Sequence, residues 1–155
     1  MTTIRPYLAR DRRARMMVYF RAMRESAVSA YPEAELAAWA PTFEPELGKP
    51  DNLMDQWAWL ADEGGRTTGF MSLCHDGILD MAFVIPGVMG KGTAGLLYDT
   101  LLAKAQALTR LTVSASVFSR RFLTKRGWVF GKMQQFEENG MVYETAAMSL
   151  DLSKG

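Results

Sequence analysis

The sequence predicts an α/β (α+β) fold in which a mixed, mostly antiparallel sheet of six to seven strands is flanked by about four helices. The hydrophobic period is helical over residues 11–40 and changes to a strand-like pattern from residue 56 onward. Glycine-containing breaks at 63–65 and at 76–77 separate the first strand-like runs, which indicates antiparallel hairpins. With 155 residues, 48% of them hydrophobic and 23% charged, the composition is typical of a globular core, and we expect a single domain over 1–155.

The N-terminal elements are predicted from proline positions and helical spacing. Residues 3–8 form a short strand, and Pro6 within it favours an edge position. Asp11 is the expected N-cap of a first helix, whose apolar residues recur at helical spacing from Met16 and Phe20 onward. A second helix over 31–40 ends before Pro41, and the proline-rich stretch 41–55 is predicted to be a loop.

The remaining elements follow from strand alternation, one long amphipathic pattern and a final turn. The predicted strands are 56–61, 67–74, 78–85, 111–115, 128–137 and 141–151, and the predicted helices are 94–108 and 116–126. The last two strands turn at Asn139-Gly140, which is a strong hairpin signal.

Charge and composition argue against several classes of function. Eighteen Lys+Arg against 17 Asp+Glu leave a formal net charge of +1, which disfavours a nucleic-acid binder. The arginines near the N-terminus are interpreted as the solvated face of a helix. One Cys and one His cannot build a Cys/His zinc site, so no metal is expected. No apolar run reaches the length of a membrane span, no signal peptide is apparent, and we expect a cytoplasmic protein without a membrane partner.

The most informative segment is 78–97, where an apolar strand, four closely spaced glycines and a helix follow one another. Backbone N–H groups that converge at such a turn, together with the start of a helix, can bind phosphate oxygens, and Lys91 adds a positive charge. A P-loop is excluded because no Gly-Lys pair is followed by Ser or Thr. A dinucleotide site is disfavoured because no acidic residue lies between Asp99 and Glu137 to bind a ribose.

The run Met89-Gly90-Lys91-Gly92-Thr93-Ala94 resembles the acyl-CoA loop of the GNAT N-acetyltransferases, Gln/Arg-x-x-Gly-x-Gly/Ala. It follows an apolar strand that ends at Val84-Ile85-Pro86 and precedes a helix, as in that family. Residues 111–128 are similar to the family's next strand and helix, which close on a Phe/Tyr-x-x-x-Gly-Phe/Trp pattern that is matched approximately by Phe122, Leu123, Gly127 and Trp128. The likeness covers nearly the whole chain and implies the GNAT acyl-CoA N-acyltransferase fold.

This resemblance implies acetyl-CoA as the co-substrate. The pantetheine arm is then expected along the strand before the loop, and the pyrophosphate on the loop amides, while Met89 replaces the usual Gln or Arg. Ser116 matches a position that often contacts the cofactor arm. The implied cofactor-binding residues are Ala82, Phe83, Val84, Met89, Gly90, Lys91, Gly92, Thr93, Ala94 and Ser116.

Acyl transfer to an amine requires a neutral amine, a polarised carbonyl and a protonated leaving thiolate. Asp80 is the first candidate for the base because it is a carboxylate within an otherwise apolar strand, and His75 is the second. The family's tyrosine position is Leu123 here, so Tyr143 or Tyr98 is the candidate acid. Aromatic residues, among them Tyr31 and Trp39, are candidates for the acceptor pocket.

The function predicted from the sequence is therefore N-acetyl transfer from acetyl-CoA to the primary amine of a small molecule or peptide by direct attack. The alternative is a non-catalytic acyl-CoA-binding or regulatory module of the same fold, suggested by Leu123 and Met89 at positions where the family has functional side chains. The sequence leaves open the identity of the amine, the length of the acyl group and whether two chains form a homodimer.

Overall fold

In the computed structural model, the described residues are 1–22, 50–138 and 141–153, with six side chains in the last helix and hairpin left aside. The strands are β1 Thr2–Pro6, β2 Trp57–Glu63, β3 Arg66–Leu73, β4 Leu79–Val84, β5 Arg110–Ala115, β6 Val129–Glu138 and β7 Met141–Asp151. The α-helices of this part of the chain are α1 Arg12–Arg21, α2 Thr93–Lys104 and α3 Val117–Thr124. The predicted helix 31–40 and the predicted turn Asn139-Gly140 lie outside the described residues.

The strands form two hydrogen-bonded groups, in the orders β1-β2-β3-β4 and β5-β7-β6, and every ladder within them is antiparallel. This confirms the predicted mixed α+β fold with seven strands. The described helices number three rather than about four. Pro6 lies on the edge strand β1, as expected for a residue that lacks an N–H donor.

The first two hairpins confirm the turn predictions. Gly64 and Gly65, between β2 and β3, have φ values of +59° and +79°. Gly77, between β3 and β4, has a φ of +98°. Glycine adopts this half of the φ range without steric cost, which is why these breaks turn the chain so tightly.

The expected N-cap role of Asp11 is wrong in one respect. Asp11 stands before α1, but its side chain does not cap that helix. The carboxylate instead accepts hydrogen bonds from Arg5 at 2.9 Å and from the Leu8 amide at 2.8 Å. Two charge-assisted bonds from one guanidinium are stronger than a single helix cap, so they set the direction of the side chain.

Apolar side chains pack on both faces of the first sheet because strand residues alternate. On one face, Leu97 and Leu101 of α2 pack in a cluster that includes Trp59 of β2. On the other face, Val18 of α1 packs in a cluster that includes Phe70 of β3. The sheet is thus held rigidly between two helices, and β4 lies at its edge, beside the second sheet.

Candidate active site

A gap separates β4 from β5 along most of their length. The two strands run parallel and are joined in the described structure by one bridge, between Ile78 and Thr112. Beyond that point β4 pairs with β3 alone and β5 with β7 alone. Within the described residues, the facing edges of β4 and β5 therefore present unpaired backbone donors and acceptors, which an extended ligand can satisfy.

Gly77 forms the closed end of this gap. Its carbonyl oxygen accepts a 2.9 Å hydrogen bond from the Thr112 amide. A Cβ at this position would lie 2.6 Å from the Arg110 carbonyl oxygen, so the two segments approach more closely than any side chain allows. Gly77 thus lets the two segments meet at one end, and no ladder in the described residues joins β4 to β5 at the other, open end.

At the open end of the gap, β4 leads through a short turn into the glycine loop and the start of α2. Gly90 and Gly92 have φ values of +80° and +86°, and Gly92 is the N-cap of α2 without any side-chain cap. In the described ranges, the amides of Gly90, Gly92, Thr93 and Ala94 donate no hydrogen bond. A Cβ built on Gly90 or Gly92 would meet no described atom within 4 Å, so the space beside each glycine is open. Free amides and the positive end of a helix dipole suit a diphosphate.

The other predicted loop residues contribute differently. The Lys91 amide donates to the Val88 carbonyl at 3.1 Å, so its exposed side chain is the part free to meet an anion. Met89 is 49% exposed, and its amide donates to the Pro86 carbonyl. Ser116 follows β5 and caps α3, with its Oγ accepting from the Ser119 amide at 3.2 Å.

The predicted pantetheine-binding residues line β4 at the gap. Ala82 and Val84 pack at the border of the core beneath α2. Phe83 points to the opposite face, where its ring contacts those of Phe70 and Tyr19 at centroid distances of 5.7 and 4.9 Å. The strand backbone between Ala82 and Val84 is therefore anchored on both faces and presents its free edge to the gap.

Asp80 lies near the closed end of the gap. Met81 pairs with Ser72 and Leu79 with Leu73, so a register shift leaves Asp80 without a Cα partner on β3. The side chain is exposed, and its Oδ2 accepts a 2.8 Å hydrogen bond from Gln56 Nε2. Gln56 lies 24 positions before Asp80, and nothing in the sequence marks it as the partner of this carboxylate.

His75, the second candidate base, is exposed at the turn between β3 and β4. Its ring contacts that of Trp57 at a centroid distance of 4.6 Å. The ammonium of Lys104 lies 5.3 Å from the same indole. The structure therefore places His75 beside a cation and an indole, and the contacts of Asp80 do not include it.

The three positions considered for a general acid differ in their surroundings. Tyr98 is buried, its hydroxyl accepts a 2.9 Å hydrogen bond from Trp128 Nε1, and burial raises the pKa of Tyr98. Leu123 is 1% exposed and belongs to the core. Tyr143 lies on β7 opposite Phe136, and its side chain is outside the described part of the structure. Tyr31 and Trp39, the candidate acceptor-binding residues, also lie outside the described residues.

A further buried polar cluster anchors the segment that leads into β2. The Asp51 carboxylate accepts from the Tyr7 hydroxyl at 2.5 Å and from Arg15 at 2.9 Å. Burial opposes ionisation, but the hydrogen bonds from Tyr7 and Arg15 prevail and lower the pKa of Asp51 below its usual range. Leu53, two residues later, is buried, and its carbonyl accepts from the Gln56 amide. This chain of contacts fixes the position from which Gln56 reaches Asp80.

None of the helices in the described residues is long and apolar enough to cross a membrane. In the same part of the chain, no three His, Cys, Asp or Glu side chains cluster in a way that would hold a metal ion.

A sheet split beside a glycine loop at a helix start defines the class of this fold, and comparison with known proteins identifies the family. The family model described as "Acetyltransferase (GNAT) domain" matches residues 27–150. The chain is 28% identical over 137 residues to the "Uncharacterized N-acetyltransferase YafP" of Escherichia coli, covering 88% of this chain and 87% of that one. The chain belongs to the GNAT acetyltransferase family.

Solved structures share this fold. A GCN5-related N-acetyltransferase from Rhodopseudomonas palustris is 28% identical with a TM-score of 0.89, covering 98% of this chain and 96% of that one. YncA, a putative acetyltransferase from Salmonella typhimurium solved with its cofactor acetyl-CoA, is 20% identical with a TM-score of 0.67, covering 98% and 94%. The second likeness concerns the fold alone.

Proposed function

We propose that this protein transfers an acetyl group from acetyl-CoA to the primary amine of a small molecule or peptide, by direct attack in a ternary complex. One observation carries the proposal. The glycine loop, with its free amides, follows the open end of a gap whose facing strand edges are unpaired within the described residues. Family membership and the fold shared with an acetyltransferase that binds acetyl-CoA support it.

The residues fit a coenzyme A thioester as co-substrate. The amides of Gly90, Gly92, Thr93 and Ala94 would hold the diphosphate, with the Lys91 side chain adding a positive charge. The pantetheine arm would pair with the free edge of β4 at Ala82, Phe83 and Val84, and pass Ser116 at the end of β5. Val84 lies four residue steps along β4 from Asp80, about 13 Å at strand spacing. The thioester would then reach the narrow part of the gap, near Asp80.

Asp80 is the proposed base. Its carboxylate would take a proton from the ammonium of the acceptor, because only a neutral amine has the electron pair that attacks a carbonyl carbon. The N–C bond then forms and the C–S bond breaks, a backbone N–H of β4 beside the thioester carbonyl stabilises the oxyanion, and the amide nitrogen releases its remaining extra proton to solvent. Tyr143 is the proposed acid that protonates the leaving thiolate. Tyr31 and Trp39 are the proposed aromatic contacts for the acceptor.

Turnover of acetyl-CoA against a panel of primary amines, followed as free thiol, tests this proposal. Asp80→Asn should lower kcat by about 100-fold or more, the usual contribution of a general base, and leave acetyl-CoA affinity nearly unchanged. Asp76→Asn is the matched control because Asp76 is also an exposed carboxylate at the same end of β4. An unaltered kcat in Asp80→Asn, or an equal loss in Asp76→Asn, would reject the role of Asp80.

A second function, a non-catalytic acyl-CoA-binding module, is favoured by one observation. Leu123 is fully packed in the core, so α3 offers no hydroxyl at the position where the family commonly has tyrosine. Saturable acetyl-CoA binding without transfer to any amine of the panel would support the module and reject the enzyme.

A further inference from the structure

The hydrogen bonding of the Gln56 side-chain amide is not explained by its contribution to the stability of the fold. The Oε1 atom is buried and has no hydrogen-bond partner among the described residues. The Nε2 atom donates to Asp80 Oδ2 at 2.8 Å. A buried acceptor without a donor destabilises the folded state by the desolvation of that atom, and such atoms are rare in native proteins.

The alternative orientation of the amide would be worse. Rotation by a half turn would place Oε1 against the Asp80 carboxylate and would remove the donor from it. The arrangement therefore serves the carboxylate, since the amide directs its NH2 group at Asp80 and leaves its own oxygen unsatisfied.

Gln56 lies just before β2, and β2 is not the neighbour of β4, the strand that carries Asp80. β3 lies between β2 and β4, so the contact joins residues of two segments whose strands do not pair with each other. The Gln56 backbone is held at its start by the bond to the buried Leu53. A long side chain on a fixed backbone thus bridges the sheet to a carboxylate that the register shift leaves unpaired on β4.

One oxygen of Asp80 is occupied by this contact and the other is not. Of the hydrogen bonds in the described ranges, Oδ2 takes the one from Gln56, while Oδ1 accepts none. Without that hydrogen bond, a carboxylate at an exposed strand bulge would sample several rotamers. The Gln56 contact selects one of them and leaves Oδ1 available to a substrate proton.

We infer that Gln56 is a positioning residue, which orients the Asp80 carboxylate so that Oδ1 faces the amine of the acceptor. This inference rests on the proposed function of Asp80. The protein retains an unsatisfied buried oxygen because the opposite end of the same amide aligns the base.

A variant that removes both amide atoms tests the inference. Gln56→Met keeps the length of the side chain, removes the buried acceptor and removes the donor to Asp80. We expect an unfolding temperature within about 2 °C of wild type, because a lost hydrogen bond is offset by the loss of an unsatisfied buried atom. The kcat should fall about tenfold, while the KM for the amine and the affinity for acetyl-CoA stay within about twofold.

Two further variants separate orientation of Asp80 from general disturbance. Ser72 also carries a buried Oγ that has no hydrogen-bond partner among the described residues. It pairs in the sheet with Met81, next to Asp80, but no hydrogen bond joins its side chain to Asp80. Ser72→Ala should therefore leave kcat unchanged. The double variant Gln56→Met/Asp80→Asn should lose no more activity than Asp80→Asn alone, because Gln56 acts only through Asp80. Additive losses, or an equal loss in Ser72→Ala, would overturn the inference.

A crystal structure of Gln56→Met gives a readout that does not depend on turnover. We expect the Asp80 carboxylate in one rotamer in the wild-type protein and in two or more, or turned away, in the variant. An unchanged single rotamer would overturn the role of Gln56 even if the enzyme is active. If wild type acetylates no amine while the rotamer changes as expected, the proposed function fails and the hold of Gln56 on Asp80 stands.

Discussion

Gly77→Ala should both destabilise the protein and weaken its binding of acetyl-CoA. The new Cβ would lie 2.6 Å from the Arg110 carbonyl oxygen, which is far inside van der Waals contact, and the φ of +98° is a further strain for alanine. Left-handed backbone costs about 1–2 kcal/mol and local overpacking about 1–3 kcal/mol, so we expect a loss of about 3 kcal/mol. For a chain of this size that loss lowers the unfolding temperature by about 6–12 °C.

The same substitution displaces the closed end of the gap. The bond from the Thr112 amide to the Gly77 carbonyl joins β4 to β5 there, and moving it changes the width of the gap along both strands. Urea unfolding measures the free energy of unfolding, and calorimetry at a temperature where the variant is folded measures acetyl-CoA affinity.

Gly64→Ala is the matched control for this prediction. Gly64 has a φ of +59°, and a Cβ there would meet nothing within 4 Å, so it tests backbone strain without a clash. We expect about 1 kcal/mol of destabilisation and unchanged acetyl-CoA affinity. If the two variants lose equal stability, or if Gly77→Ala binds acetyl-CoA as wild type does, the close approach at Gly77 does not control the gap.

Three other substitutions test separate parts of the structure. Gly92→Glu should weaken acetyl-CoA binding by about 100-fold or more, because a carboxylate would project into the open loop where the diphosphate is expected. Calorimetry measures the affinity, and a similar loss of affinity in Gly92→Ala would assign the effect to backbone strain instead. Leu123→Tyr should lower the free energy of unfolding by about 1–3 kcal/mol through overpacking, and a rise in kcat would instead show that the hydroxyl reaches the thiolate. Asp51→Asn should destabilise the protein by about 2–3 kcal/mol at pH 7, since Tyr7 and Arg15 lose a charged partner. The pKa of Asp51 is lowered on folding, so the stabilisation by its carboxylate is present above the unfolded pKa of about 4 and is lost as the pH falls through the folded pKa. In urea unfolding, the difference in free energy of unfolding between Asp51→Asn and wild type should therefore narrow below about pH 4. A constant difference would contradict the ionised state of Asp51.

The local elements could be predicted from sequence because their causes are local. The turns at Gly64-Gly65 and at Gly77 follow from backbone freedom, and the strands beside them follow from side-chain alternation. The glycine loop at 89–94 could be found for the same reason, since free amides at a helix start are a property of consecutive residues. Local rules gave the wrong direction for the Asp11 side chain, because Arg5 competes for that carboxylate.

Contacts between distant segments decided the rest of the candidate site. Gln56 meets Asp80 across an intervening strand, and no spacing in the sequence marks the pair. Leu123 and Tyr98 are placed in the core by the packing of α2 and α3 against the sheets. The burial of these two residues separates a structural role from a catalytic one, which residue type alone cannot do.

The amino-acid sequence alone determined the order of the described strands and helices, the turns at Gly64-Gly65 and Gly77, and the place of the glycine loop, because each depends on backbone geometry within a few neighbouring residues. Tertiary structure alone decided that the chain meets β5 at Gly77, just before β4, and that the amide of Gln56, just before β2, reaches the Asp80 carboxylate. Both features arise from how sheets and helices pack, which depends on the shapes of residues far apart in the chain.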